Sequence, residues 1–210
     1  MSANPTVFVV DDDPHVLRAL SRLLGAKGYD VRGFNSPNAF LDQHDASVPG
    51  CAVLDVAMPE LDGLQLQSAL SHGLVARPVI FLTGKGDIPT SVKAMKAGAV
   101  DFLRKPVDAK ELLPAIDVAI ERDERARRLS DELTSIWSRV ANLTPREHEV
   151  LTYVIAGRLN KQIAHNLGTV EKTIKVHRGR MMEKLGVRTV ADLVRLADKA
   201  GITPREGLRG

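Results

Sequence analysis

The chain has 210 residues, of which 44% are hydrophobic and 26% charged, a globular composition that excludes wholesale disorder and suits one large domain or two small ones. Its single cysteine excludes a disulfide framework and a cysteine-rich zinc cluster. No apolar run approaches the roughly 20 residues that cross a bilayer, and the amino-terminal segment has no signal-peptide pattern, so we expect a soluble cytoplasmic protein without membrane contacts.

The formal net charge of +3 is unevenly distributed along the chain. Residues 1–122 carry 12 Lys and Arg against 15 Asp and Glu, whereas residues 123–210 carry 17 against 11. An acidic first part and a basic second part predict two domains with different partners.

Short apolar runs alternate with helical patterns over the first 122 residues. The predicted strands are Thr6–Val10, Asp30–Phe34, Cys51–Leu54, Pro78–Leu82 and Val100–Leu103. Because these runs are continuously apolar and alternate with helices, they predict an α/β domain whose doubly wound parallel sheet is covered on both faces. Ligands of such sheets bind beyond the carboxyl ends of the strands.

The predicted strand ends bring polar side chains to one edge of the sheet. They are Asp11, Asp12, Asp55, Thr83 and Lys105. Clustered carboxylates repel one another unless a cation lies among them, and oxygen ligands without His or Cys favour Mg²⁺. With a hydroxyl and an ammonium beside them, these groups could accept and hold a phosphoryl group. Asp13, which precedes Pro14, is predicted to cap a helix and is left out of the site.

Four blocks of this region resemble the signature blocks of two-component receiver domains. The blocks are Val9–Asp13, Leu54–Pro59, Thr83-Gly84 and Lys105-Pro106, and the resemblance covers about residues 5–122. It implies a flavodoxin-like fold with five parallel strands in the order 2-1-3-4-5.

Specific roles follow from this resemblance. Asp55 would accept the phosphoryl group, and Mg²⁺, or Mn²⁺ in its place, would be held by Asp11, Asp12, Asp55 and the backbone carbonyl of Ala57. Thr83 and Lys105 would bind phosphoryl oxygens, and Phe102 would be the aromatic switch residue. Since Ala57 offers no side chain to guide water and Lys85 adds positive charge, we expect a long-lived phosphoaspartate.

A long helix is predicted between the two parts, with residues 123–140 as a helical linker. From Asp108, apolar residues recur every three or four positions, although Asp123 interrupts the stripe. Two interpretations stay open: a helix packed on its own domain, or one that pairs with a second copy and contributes to a dimer.

Residues 141–210 are predicted to form a small all-α domain. Thr144 and Glu147 flank Pro145 in a capping-box pattern that begins its first helix. Further helices are predicted near residues 160–167, 170–185 and 189–200, and the third has an outer side with Lys172, Lys175, His177, Arg178 and Arg180. A short helix, a Gly turn and a basic helix fit a helix-turn-helix whose second helix enters the major groove.

Three blocks of this domain resemble the LuxR-type DNA-binding domain, namely residues 143–151, 160–164 and 173–177. Because a receiver-like region precedes them, the whole chain resembles response regulators of the NarL/FixJ family, FixJ-like branch. The resemblance implies that Lys175, Val176 and His177 face base edges and that Lys161 and Thr173 contact phosphates. Arg178 and Lys184 are candidates for phosphate contacts from their helix positions alone, and Lys172 belongs to the same basic surface. Val170 stands where the family has a Ser or Thr helix cap, so Thr169 is an alternative cap. The fourth helix would form the dimer contact on DNA.

We therefore expect a transcriptional regulator and not an enzyme. A sensor histidine kinase would phosphorylate Asp55, which would promote homodimers, binding to double-stranded promoter DNA and activation of transcription by RNA polymerase. Two alternatives stay open: a phosphatase with Asp11 as nucleophile and Asp13 as acid, and an interaction module that never accepts phosphate.

Overall fold

A computed structural model describes residues 4–59, 61–70, 75–84 and 88–205, and the chain divides into two compact units, residues 1–128 and 129–210. The strands of the first unit are β1 (Thr6–Val10), β2 (Asp30–Phe34), β3 (Gly50–Asp55), β4 (Val79–Thr83) and β5 (Asp101–Arg104). The helices that alternate with them are α1 (Pro14–Gly25), α2 (Pro37–Gln43), α3 (Gly63–Leu70) and α4 (Ile88–Lys96).

The five strands form one parallel sheet in the order β2-β1-β3-β4-β5, which confirms the expected topology. The third strand begins one residue earlier than predicted, while the fourth and fifth are displaced by one residue. The fourth strand begins at Val79 and not at Pro78, because proline has no backbone N–H to donate. The carbonyl of Pro78 still accepts a hydrogen bond from the Ala52 N–H at 2.9 Å.

Side chains of β1 alternate between two apolar layers. Val7 and Val9 pack in a cluster with Leu24 of α1 and Ile116, whereas Phe8 and Val10 belong to the opposite cluster. That second cluster includes Phe40, Leu66 and Ala94 from α2, α3 and α4. Burial on both faces explains why the central strands are continuously apolar in sequence.

A long helix, α5 (Ala109–Ala141), follows β5, and its Asp123 is almost fully buried. Asp123 Oδ2 accepts hydrogen bonds from the Gly50 N–H at 2.9 Å and from Arg127 Nε at 2.7 Å. Arg127 also donates to the carbonyls of Ala46, Ser47 and Val48. The charge that interrupts the apolar stripe thus ties the helix to the loop before β3.

The second unit contains the end of α5, from Leu129, and four shorter helices. These are α6 (Pro145–Ile155), α7 (Asn160–Asn166), α8 (Glu171–Leu185) and α9 (Val190–Lys199). They share a core with Ile136 and Val140 of α5. The predicted capping box is present, since Thr144 and Glu147 bond each other's backbone N–H groups.

The cap of α8 differs from one expectation. The helix begins at Glu171, and its cap is Val170, which makes no side-chain capping bond. Thr169 instead donates its N–H to the Ala164 carbonyl at 2.9 Å in the turn after α7. The alternative cap at Thr169 is therefore wrong. Among the described residues, no helix is both long and apolar enough to span a membrane.

Candidate functional site

Two buried carboxylates lie at the carboxyl ends of neighbouring strands. Asp11 follows β1 and Asp55 ends β3, and the ladder pairs Val10 with Leu54 just before them. Asp11 is 1% and Asp55 6% exposed, whereas the adjoining Asp12 is exposed to solvent. Ligand oxygens from the three carboxylates lie within 4.8 Å of one another.

Lys105 brings a cation to these carboxylates from the end of β5. Its backbone N–H donates to the Thr83 carbonyl at 2.7 Å, which continues the β4–β5 ladder to the site. Its ammonium lies 2.5 Å from Asp11 Oδ2 and 3.2 Å from Asp55 Oδ1. The sheet thus brings Asp11, Asp55 and Lys105 together, although they are far apart in sequence.

The electrostatics of the cluster are those of crowded carboxylates. Burial, with a contribution from nearby Asp11, raises the pKa of Asp55 above its usual value against the opposing effects of Lys105 and of a hydrogen bond with the Ala57 backbone. Burial lowers the pKa of Lys105, but hydrogen bonding and attraction to Asp11 and Asp55 outweigh it, and the net pKa is raised. Burial thus disfavours the ionised form of Asp55, and a further positive charge nearby would favour it.

This donor set fits a hard divalent cation. Three carboxylates and one ammonium leave the site with an excess of negative charge, and carboxylate oxygens are the ligands that Mg²⁺ prefers. Two ligands are buried while Asp12 faces solvent, which leaves room for the waters that Mg²⁺ retains.

Other receiver residues from the sequence prediction lie on β4, on β5 and at the start of α1. Thr83 is buried at the last position of β4. Phe102 is half-buried on β5, and its ring centroid lies 6.0 Å from that of Phe81. Asp13 Oδ1 accepts the His15 N–H at 2.7 Å, which confirms Asp13 as the cap of α1. Lys85 lies outside the described residues.

A second candidate surface is the outer face of α8. Ile174, Met181 and Leu185 are buried in the core of the unit. The opposite side exposes Lys172, Lys175 and Val176, while Thr173, His177 and Arg178 are partly exposed. The exposed side chain of Lys161 lies near the start of α7, and Arg178 donates to Asn160 Oδ1 of the same helix at 3.0 Å.

Family models match both units. Residues 7–117 match the response regulator receiver domain, and residues 141–197 match the bacterial regulatory proteins of the luxR family. The chain is 42% identical to Nodulation protein W of Bradyrhizobium diazoefficiens over 96% of this chain and 89% of that protein. It is 39% identical to the transcriptional regulatory protein FixJ of the same organism, covering 96% of this chain and 98% of FixJ.

The chain belongs to the two-component response regulators with a LuxR-type DNA-binding domain. The solved structure of the response regulator StyR is similar to this response regulator with a TM-score of 0.86 and 43% identity, covering 94% of this chain and all of that one. Its family and fold are thus as the sequence indicated, and the residue roles are taken up below as proposals.

Two features of this response regulator were missed by the sequence prediction. A Cβ on Gly63 would lie 2.5 Å from the Asp55 carbonyl oxygen and 2.9 Å from the Phe81 ring, so only glycine lets α3 begin this close to Asp55. Lys184, predicted to contact phosphate, donates to Glu147 Oε2 at 2.6 Å and to the Asn142 carbonyl at 3.1 Å. The Asp62-Gly63 pair is a sequence signal for the first feature, whereas nothing local signals the second.

Proposed function

We propose that this response regulator accepts a phosphoryl group from a sensor histidine kinase on Asp55. The observation that carries the proposal is the contact of one Lys105 ammonium with both Asp55 and Asp11 at the carboxyl edge of the sheet. It supports the proposal because phosphoryl transfer to a carboxylate needs a nucleophilic carboxylate, a second carboxylate for metal binding and a cation for phosphoryl oxygens within a few ångströms of one another.

The reaction is a transfer between two side chains. A carboxylate oxygen of Asp55 forms a bond to phosphorus while the bond from phosphorus to the kinase imidazole nitrogen breaks, and the imidazole leaves with that electron pair. Asp11, Asp12, Asp55 and the Ala57 carbonyl would hold Mg²⁺, which would supply positive charge to the phosphoryl oxygens. Lys105 pairs with one phosphoryl oxygen, and the Thr83 hydroxyl donates to another.

Phosphorylation then promotes homodimers through the face formed by α4 and β5. On α4, Ile88, Val92 and Met95 recur at helical spacing and are 79%, 45% and 46% exposed. A rearrangement of Thr83 and Phe102 around the phosphoryl group would change this face, so that phosphorylation shifts the population toward dimers.

The dimer binds promoter DNA with α8 in the major groove and activates transcription together with RNA polymerase. Lys175, Val176 and His177 face base edges, while Lys161, Lys172, Thr173 and Arg178 contact the phosphate backbone. Lys184 does not belong to this surface, because its ammonium donates to Glu147 Oε2 and to the Asn142 carbonyl. The exposed basic side of α8, opposite its buried apolar side, supports this assignment. Nothing observed favours the phosphatase alternative, since Asp13 is occupied as a helix cap.

The phosphoryl transfer is tested by the mass of the intact protein after treatment with acetyl phosphate. The wild type should gain one phosphoryl group only when Mg²⁺ is present, and Asp55→Asn should gain none. Asp13→Asn is the matched control, because it makes the same change next to the site and asparagine still caps a helix. A phosphoryl adduct on Asp55→Asn would refute the acceptor assignment.

Dimerisation is tested by sedimentation of the same samples. Phosphorylated wild type should sediment as a dimer, whereas Met95→Glu should gain the phosphoryl group and remain a monomer, because a charge in the apolar face opposes its burial. A phosphorylated Met95→Glu protein that dimerises like wild type would exclude this face.

A further inference from the structure

Gly179 occupies an unusual position for a glycine. It lies inside the 15-residue helix α8, two turns before its carboxyl end, and it is exposed to solvent. It follows Lys175 by four residues and Val176 by three, so it shares their face of the helix. The helix core residues Ile174, Met181 and Leu185 lie on the other side.

The fold gives no reason for a glycine at this position. Apart from its chain neighbours and the backbone of its own helix, a Cβ on Gly179 would meet no atom of the described residues within 4 Å, whereas a Cβ on Gly63 would collide with the backbone of Asp55. The backbone at Gly179 is helical, so no left-handed conformation requires glycine either. A glycine inside a helix lowers stability relative to alanine because it loses more backbone freedom on folding.

The missing side chain leaves a gap in a face that otherwise carries long or branched side chains. Lys172, Lys175 and Val176 lie on one side of the gap and Glu183 lies one turn beyond it. A helix with its side chains is about 10–12 Å across, close to the roughly 12 Å width of the major groove, so the volume of each outward side chain limits how deeply the helix can enter.

We propose that Gly179 is a specificity-determining residue at which the bare backbone of α8 approaches base edges most closely. This inference rests on the proposed function, since it takes α8 as the helix that enters the major groove. Lys175 and Val176 provide polar and apolar contacts to bases, and the absent side chain at Gly179 allows both to reach them. The glycine lowers the stability of α8, and its missing side chain lets the helix enter the major groove more deeply.

The test uses substitutions that are expected to stabilise the protein while weakening DNA binding. Gly179→Ala and Gly179→Leu both place a better helix former at an exposed position with open space around it. Thermal unfolding followed by Trp137 fluorescence should show a higher Tm for both variants. The probe is a duplex selected from a randomised library by phosphorylated, full-length wild-type protein.

Affinity for that duplex should fall in order of side-chain size, with Gly179→Leu weaker than wild type by about tenfold or more, as for loss of a base contact. Thr134→Ala is the matched control, because it also raises helix propensity in the same unit, at an exposed and uncharged position of α5. It should raise Tm and leave DNA affinity unchanged.

The outcomes distinguish the role of Gly179 from the proposed DNA-binding function on which it rests. If the wild type enriches no sequence, the proposed DNA-binding function fails, and this inference fails with it. If the wild type enriches a sequence and Gly179→Leu binds it equally well, the function stands and the role of Gly179 is refuted. Loss of affinity accompanied by a lower Tm would also refute it, since misfolding would then explain the loss.

Discussion

The receiver site and the outer face of α8 use charge in opposite ways. At the receiver site, Asp11 and Asp55 are buried and share the ammonium of Lys105. On α8, Lys172 and Lys175 are exposed, and Glu171, which lies 3.7 Å from the ammonium of Lys175, is exposed as well. Buried charges are organised by the fold before any partner arrives, whereas exposed charges stay hydrated until a partner displaces the water.

The largest expected effect compares a buried with an exposed pair on the same helix. Asp123–Arg127 and Glu121–Arg125 have the same four-residue spacing on α5, but Asp123 is buried and Glu121 is exposed. Asp123→Ala should lower the free energy of unfolding by about 3 kcal/mol, because it leaves the buried Gly50 N–H without its acceptor and Arg127 without its carboxylate.

Glu121→Ala is the control and should cost less than about 0.5 kcal/mol. Urea unfolding of both variants, followed by circular dichroism, checks the difference. Equal decreases in the free energy of unfolding for the two variants would show that burial does not determine how much such ion pairs stabilise this protein.

The next effect separates two lysines of the DNA-binding unit. Lys175→Ala should weaken binding to a selected duplex by about 1–3 kcal/mol and relax the preference at one base position, because Lys175 is assigned to a base edge. Lys161→Ala should weaken binding to all sequences and reduce the salt dependence by about one phosphate contact. Titrations at several salt concentrations check both results, and a uniform loss for Lys175→Ala would contradict its assignment.

A smaller effect is expected at Glu147, the buried carboxylate of the second unit. Hydrogen bonds from Lys184 and from the Thr144 backbone hold the pKa of Glu147 below its usual value. Stability from this group is therefore complete above about pH 4.5, the unfolded-chain value, and is lost as the pH falls through the lower folded-state pKa.

Glu147→Gln should cost about 1.5 kcal/mol near neutral pH, because it keeps an acceptor for the Thr144 N–H but loses the charged bond with Lys184. Glu149→Gln, in a partly exposed pair with Arg146, is the control and should change little. Trp137 fluorescence during urea unfolding measures both, and an unchanged stability for Glu147→Gln would show that the Lys184 pair contributes nothing.

The smallest effect is a pH dependence at His44. Arg77 Nε donates to His44 Nε2 at 2.8 Å, which requires a neutral ring, and burial together with the charge of Arg77 lowers the pKa of His44. The unfolded chain takes up this proton first, so the stability of the first unit should fall as the pH drops below about 6.5.

Urea unfolding between about pH 7.5 and 5.5, followed by circular dichroism, should show this fall in wild type and a weaker one in His44→Gln. His165→Gln, at an exposed position of α7, should keep the wild-type profile. An identical profile for His44→Gln would place the titrating group elsewhere.

Local patterns predicted the strands and the cluster at their ends, because apolar runs and the residues that follow them are adjacent in sequence. The strand order came from the resemblance to receiver domains and was confirmed. The long-range partners of Asp123 and Lys184 could not be predicted, since Gly50 lies 73 positions from Asp123 and Glu147 lies 37 positions from Lys184. Arg127, by contrast, lies only four positions from Asp123 on the same helix. A charge within an apolar stripe indicates that a partner exists but does not say where along the chain it lies.

The hydrogen bonds of Asp123 and Arg127 limit where the chain can be truncated to isolate the first unit. The match to the receiver family ends at residue 117, before both side chains. A fragment that stops there leaves the loop of residues 45–50 without three carbonyl contacts and without the acceptor for the Gly50 N–H. An isolated receiver for biophysical work should therefore end no earlier than Arg128, where the first compact unit ends.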